Sequence, residues 1–256
     1  MSDRIGTPGG SPADGSPWVV AHRGYAAVAP ENTLPALAAA ARTGADFVEF
    51  DVRTTADGVP VVIHDRTVDR TTDGTGRIAD LTLDQVLDLD AGSWFSDAYA
   101  GLRLPLLSQV LDLLASSDTQ LLLEIKPPAT AEQVKAVVAQ VAERDLNERT
   151  VVQSFDPEIL HLTDEAAPEL RRGLLRSGFD ADPVGVARDV GAAFCNPSVT
   201  DVLSDPQTVL KLREAGVAVM PWTANDPDVW PALLGSGVAG IITDRAGELV
   251  GWRRSR

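Results

Sequence analysis

The sequence predicts an α/β fold: a (β/α)8 barrel of parallel strands, each followed by a helix, with a small insertion after the second barrel strand. Three observations carry that prediction. From Trp18 onward, short β-branched runs alternate with Ala- and Leu-rich amphipathic stretches, the pattern of a parallel sheet with crossover helices. Eight such runs lie near 18–22, 47–53, 120–126, 150–155, 171–176, 192–196, 217–222 and 239–243, the number that closes a barrel. Several of them also end in polar groups that a core does not want: His22-Arg23, Glu49 and Asp51, and Glu124 and Lys126, with His64-Asp65 ending an extra short run. Polar residues gathered at the exits of parallel strands are what a barrel active site requires.

The elements follow in order. Residues 1–17 are rich in Gly, Ser, Pro and Asp and carry no apolar h-region, so they read as a disordered leader, not a secretory signal. Thr33 or Asn32 can cap a helix over Leu34–Arg42, with Pro35 in its first turn and Gly44 beyond its end. The stretch from about 65 to 105 breaks the βα rhythm. It follows the extra strand Val61–His64, contains Arg70-Thr71-Thr72-Asp73-Gly74-Thr75-Gly76 and predicts a small helix near Leu83–Leu89. A connection this long inside a compact domain is usually functional, and it is expected to fold over the barrel mouth. Ala131–Arg144 carries Val134, Val137, Val138 and Val141 at helical spacing. Asp156-Pro157, Asp205-Pro206 and Asp226-Pro227 each place a capping carboxylate before a proline at the first helical position. One domain over 18–252 and a short basic tail, 253–256, complete the expected organisation.

Composition narrows the function. The chain has 256 residues, 44% hydrophobic, with a formal net charge of −15. That charge argues against a sequence-independent grip on nucleic acid, which needs a basic footprint. It also requires that an anionic ligand be met by local positive charge or a cation. No apolar run approaches the roughly 20 residues needed to span a bilayer, so no stable membrane anchor is expected. Cys195 is the only cysteine, so no internal disulfide forms, and it reads as a small core residue. These features fit a cytoplasmic protein.

Glu49 and Asp51 stand two apart on one strand and share a face. Two adjacent carboxylates repel unless a cation sits between them, and Glu124 on the next core strand can supply a third oxygen. An all-carboxylate set suits Mg²⁺ or Ca²⁺ better than Zn²⁺. The alternative is a structural network in which these acids pair with Arg53 or Lys126. His22 and His64 can serve as a general acid and a general base; hydrogen-bonded core histidines are the alternative. His161 falls in a predicted helix and reads as surface. Arg23 and Lys126 offer a fork and a point charge for phosphate oxygens. Together these residues describe a site for a phosphate ester.

The chain resembles the glycerophosphodiester phosphodiesterases over nearly its whole length after Trp18. The resemblance rests on Ala21-His22-Arg23-Gly24, Pro30-Glu31-Asn32-Thr33, Val48-Glu49-Phe50-Asp51-Val52 and Val62-Ile63-His64-Asp65. It continues through Leu123-Glu124-Ile125-Lys126, Gln153-Ser154-Phe155-Asp156, Pro221-Trp222-Thr223-Ala224-Asn225 and Gly240-Ile241-Ile242-Thr243-Asp244. It implies a TIM barrel and the hydrolysis of glycerophosphodiesters, such as glycerophosphocholine or glycerophosphoethanolamine, to sn-glycerol 3-phosphate and an alcohol. It implies one divalent cation on Glu49, Asp51 and Glu124, and His22 and His64 as the acid–base pair. It further implies Arg23 and Lys126 at the phosphate, and Phe155 and Trp222 along the glycerol or leaving-group side. Barrel packing is the other reading of Phe155 and Trp222. A lysophospholipase D-type enzyme and a non-catalytic phosphate-binding barrel are the alternative functions, and an acid–base pair argues against the second.

Overall fold

The computed structural model describes residues 16–256. The leader expected at 1–17 therefore lies outside the described residues, except for Ser16 and Pro17. The strands are β1 (Trp18–Ala21), β2 (Phe47–Thr54), β3 (Pro60–Val62), β4 (Gln120–Ile125), β5 (Thr150–Ser154), β6 (Arg171–Leu175), β7 (Ala192–Asn196), β8 (Ala218–Val219) and β9 (Gly240–Thr243). The helices are α1 (Leu34–Thr43), α2 (Leu83–Leu87), α3 (Leu107–Ala115), α4 (Ala131–Ala142), α5 (Pro157–Ala166), α6 (Pro183–Asp189), α7 (Val199–Ser204), α8 (Pro206–Glu214), α9 (Trp230–Gly235) and α10 (Ala246–Arg254).

Eight parallel strands follow the order β8-β7-β6-β5-β4-β2-β1-β9, and β3 pairs antiparallel with β2. The amides of Ala239 and Ile242 donate to the carbonyls of Val219 and Pro221 at 2.8 and 3.0 Å. These bonds draw β8 and β9 together into a nearly closed TIM barrel. The run expected at 217–222 forms only a two-residue ladder. Pro221 has no N–H to continue it.

Alternation along each strand sorts the two cores. On β2, Val48, Phe50 and Val52 face the helices and join their apolar cluster. Phe47 faces inward and packs with Trp18, Val20, Leu122, Val151, Phe194 and Met220. The rings of Trp18, Phe47 and Phe194 lie 5.7–6.2 Å apart in edge-on and tilted pairs, a favoured arrangement of aromatic quadrupoles. They plug the N-terminal half of the barrel, so the interior opens at the C-terminal ends of the strands.

Local signals account for the helix starts. The side chains of Asp156 and Asp205 accept hydrogen bonds from the amides of Glu158 and Thr208 at 3.0 and 3.2 Å. Asp182-Pro183, which the sequence reading passed over, starts α6 in the same way, with Asp182 accepting from Gly185 at 2.9 Å. Asp226-Pro227 opens a short 3₁₀ turn ahead of α9. The expected cap of α1 is corrected. Thr33 occupies the N-cap but its side chain makes no capping bond. Its hydroxyl donates to the Pro30 carbonyl at 2.6 Å, and Asn32 is drawn to Asp51 instead.

The β2–β3 hairpin returns the chain to the mouth, where the Ile63 amide donates to the Asp51 carbonyl at 3.0 Å. The segment that follows has its own small core of Val61, Ile63, Val68, Ile78, Val86, Ala91 and Leu104. Among the described residues, no helix is long and apolar enough to cross a membrane.

Gly24 shapes the loop after β1. It has φ of +83°, and a Cβ there would come within 2.6 Å of the Ala36 carbonyl carbon. Gly24→Ala is therefore expected to cost about 1–3 kcal/mol of stability, measured by urea denaturation. A loss below a few tenths would show that the close packing of this loop on α1 is dispensable.

Candidate active site

Strand register assembles the acids. Asp51 on β2 stands beside Glu124 on β4, which in turn stands beside Gln153 on β5. Glu49, one pleat period below Asp51, points the same way. All three acids are buried, and each offers an oxygen within 4.8 Å of the others. Two cations face them. Lys126 Nζ lies 3.0 Å from Asp51 Oδ1 and 2.7 Å from Glu124 Oε1. Arg23 donates its backbone amide to Glu49 at 2.8 Å, and its guanidinium Nε lies 3.6 Å from Asp51.

Burial and mutual repulsion set the protonation of this cluster. Burial, reinforced by Asp51 and Glu124, holds the Glu49 carboxyl well above the usual carboxylate range, and burial with Asp51 pushes Glu124 up to about 8 against the pull of Lys126. Burial works against ionisation of Asp51 too. Lys126, His64 and Arg23, with the Asn32 amide, overcome it and hold Asp51 low. Asn32 donates to Asp51 at 2.8 Å and accepts from its backbone amide at 3.1 Å.

These residues fit a hard divalent cation. Asp51 Oδ1 and Glu124 Oε1 are buried and receive no hydrogen bond. The Lys126 ammonium is near enough for ion pairs but not angled to satisfy either oxygen. Fully ionised, the three carboxylates outnumber the two cationic side chains by one. A doubly charged cation turns that balance to one positive charge, equal and opposite to that of a phosphodiester.

Each imidazole is tied to a carboxylate through the same nitrogen. His22 Nδ1 donates to Asp244 Oδ1 at 2.7 Å, and His64 Nδ1 donates to Asp65 Oδ1 at 2.6 Å. Since a carboxylate only accepts, this leaves Nε2 of each ring for other partners. Burial, more than its charged neighbours, lowers the pKa of His64. Asp65 is held down to about 2, chiefly by hydrogen bonds from Arg70.

Arg70 joins the two sides of the mouth. Its guanidinium donates to Asp65 at 2.7 and 3.2 Å and to Glu31 at 2.8 Å through two nitrogens. Glu31 also accepts from Arg23 Nη1 at 2.8 Å. A continuous chain of charges thus runs from Arg23 through Glu31, Arg70 and Asp65 to His64.

A cavity of about 300 Å³ brings together His22, Arg23, Glu49, His64, Glu124, Lys126, Phe155 and Trp222. Asp51 lies in the same cluster, beneath Lys126. Phe155 and Trp222 meet edge-on at 5.6 Å. Trp222 Nε1 donates to the Asn196 carbonyl at 2.8 Å. Asn196 donates to Gln153 at 2.7 Å, and Gln153 Nε2 reaches Glu49 at 3.4 Å. Cys195 points away into the helix-facing core, and burial pushes its thiol up to about 12. His161 stands outside the barrel, paired with Asp189 at 3.3 Å.

The sequence reading gave no site role to Glu31, Asp65, Arg70 or Asp244, and took Asn32 only as a candidate helix cap. Asp244 carried a usable signal, since it ends β9 as His22 ends β1. Glu31 and Arg70 carried none, because their contact spans 39 residues between two loops.

The open end of the barrel thus gathers two carboxylate-bound imidazoles, buried acids and two fixed cations, the groups that acid–base chemistry on a phosphate ester requires. Residues 22–248 match the glycerophosphoryl diester phosphodiesterase family. The chain is 36% identical over 237 residues to a glycerophosphodiester phosphodiesterase of Caldanaerobacter subterraneus subsp. tengcongensis, covering 91% of this chain and 96% of that one. Among solved structures it is similar to an Oleispira antarctica phosphodiesterase in complex with its product sn-glycerol-3-phosphate. That match has a TM-score of 0.88 and 30% identity, and covers 94% of this chain and 98% of the other. A glycerophosphodiester phosphodiesterase from Agrobacterium tumefaciens matches with a TM-score of 0.80 and 32% identity, over 92% and 99% of the two chains. The chain belongs to the glycerophosphoryl diester phosphodiesterase family, and it is an enzyme of that family.

Proposed function

We propose that this cavity hydrolyses small glycerophosphodiesters to sn-glycerol 3-phosphate and an alcohol, with His22 and His64 as the acid–base pair. The observation that carries the reading is the matched pair of imidazoles, each held at Nδ1 by its own carboxylate on the wall of one cavity that also contains the buried acids. Glu49, Asp51 and Glu124 would hold one divalent cation, Mg²⁺ or Ca²⁺. When bound, it supplies positive charge against the growing charge of the phosphoryl oxygens.

The remaining work belongs to side chains. Lys126 and Arg23 hold the ester's oxygens by charge. One imidazole takes the proton of the attacking hydroxyl at Nε2, and the other gives a proton to the departing alkoxide. Asp65 and Asp244 keep each ring in the Nδ1–H form and stabilise its charged state. The attacking hydroxyl is that of water or the substrate's own 2-hydroxyl, and both routes need the same two rings. Phe155 and Trp222 line the side that receives the glycerol or the leaving alcohol. Leu175 and Ile242 are the aliphatic members of the wall. A lining so charged and aromatic suits a compact polar diester better than the acyl chain of a lysophospholipid.

Incubation with glycerophosphocholine, with Mg²⁺ or Ca²⁺ or with chelator, tests the reading by the release of glycerol 3-phosphate. Absence of release with either ion would defeat it, and equal turnover of lysophosphatidylcholine would favour a lysophospholipase D.

Arg70 yields a separate prediction. Arg70→Gln breaks the link between Asp65 and Glu31. It is expected to lower kcat by about 10–100-fold, as loss of such a supporting contact commonly does, with little change in KM. A KM effect with kcat intact would place Arg70 in substrate binding instead.

A further inference from the structure

A second cavity of about 300 Å³ lies between the end of β2, the β4–α4 connection and the segment after β3. It shares one lining residue, Lys126, with the active-site cavity. Its walls contain Arg53, Arg66, Arg77 and Lys126 and no carboxylate. In a chain of net charge −15, so many cations around one acid-free space call for an explanation.

Lys126 is already committed to Asp51 and Glu124. The arginines are not. Arg53 donates only to backbone carbonyls, those of His64 at 2.8 Å and Pro127 at 3.3 Å. Among the described residues its guanidinium makes no ion pair, and the Arg66 side chain makes neither an ion pair nor a hydrogen bond. Arg77 has only a loose contact with Asp80 at 4.0 Å, and both are exposed. The wall also includes Thr130 and Gln133 at the start of α4, where the helix dipole adds positive potential. Glu132, the acid of that first turn, is exposed and outside the lining.

We propose that this pocket is a second binding site, separate from the reacting centre, for a phosphate monoester. Guanidinium forks match the oxygens of a tetrahedral dianion. The space exceeds a bare phosphate and accommodates a small esterified group beside it. The class includes the product expected of the neighbouring cavity, but occupancy of the pocket does not depend on turnover there.

Calorimetric titration of the full chain, with Mg²⁺ present, by sn-glycerol 3-phosphate tests this directly. Two equivalents are expected, one in each cavity. The double variant R66Q/R77Q changes two exposed side chains that the reacting centre does not use. It is expected to keep one equivalent with its affinity unchanged and to weaken the other by about tenfold or more, with thermal melting confirming the fold. Inorganic phosphate should displace the second equivalent, since the phosphoryl group carries recognition. A single equivalent in the unaltered protein overturns the proposal. So do two equivalents untouched by R66Q/R77Q, and so does failure of inorganic phosphate to compete.

Discussion

His64→Ala or His22→Ala should each lower kcat for glycerophosphocholine hydrolysis by roughly 10²–10⁴-fold, the usual worth of a positioned acid or base. The double variant should lose little more than either single one, because groups that act as a unit are not additive. Both rings are partly exposed, with side chains 14% and 31% accessible, so neither removal leaves a large void in the core. Melting temperatures close to the parent protein are expected, which separates a chemical loss from a folding loss. Asp65→Asn offers a finer check. An amide in place of Asp65 no longer favours the Nδ1–H form or a charged ring. It should reduce kcat without removing substrate binding, by less than loss of the ring itself. Full activity in either histidine variant would end the acid–base assignment.

Divalent cations should stabilise the protein more at pH 9 than at pH 6. In the cation-free fold, burial and the neighbouring acids raise Glu124 to about 8 and hold Glu49 well above its ordinary value of 4.5. In the unfolded chain both ionise near the ordinary value, so the folded state binds more protons at neutral pH. The stability from these groups is thus full below about 4.5 and declines as the pH rises toward and through about 8. A cation needs the carboxylates ionised and must displace those protons. Its apparent affinity therefore rises over the same interval. Thermal melts with and without Mg²⁺ or Ca²⁺ at the two pH values measure the effect. Glu124→Gln should flatten the pH dependence. It should also cost roughly 10²–10³-fold in kcat, as expected for loss of a fixed charge beside the reacting ester. A cation-induced shift equal at both pH values, or hydrolysis indifferent to chelator, would defeat the metal assignment.

Much of this molecule is readable along the chain, for definite reasons. On β2, period-two alternation puts Phe47, Glu49 and Asp51 on one face and Val48, Phe50 and Val52 on the other, whatever surrounds the strand. Asp-Pro pairs start helices because the carboxylate and the fixed ring act within one turn. Thr33 misled because a hydroxyl near a helix start has other acceptors, and here the Pro30 carbonyl takes it. The ladder of β8 stops early because Pro221 lacks a donor, a signal present in the sequence but overshadowed by the apolar run around it.

The chain by itself determined which residues form the staves of the barrel, which of them share a face, and which polar groups stand at the exits. Local geometry and alternation settle those matters over a few residues. Only the tertiary structure decided that Asp65 and Asp244 take the Nδ1 of the two rings, that Arg70 ties Glu31 to Asp65, and that burial pushes the Glu49 and Glu124 carboxyls up while Lys126, His64 and Arg23 hold Asp51 low. Those outcomes depend on charges brought within a few ångströms from loops and strands far apart in sequence. Coulomb energy and desolvation follow distance in space, not separation along the chain.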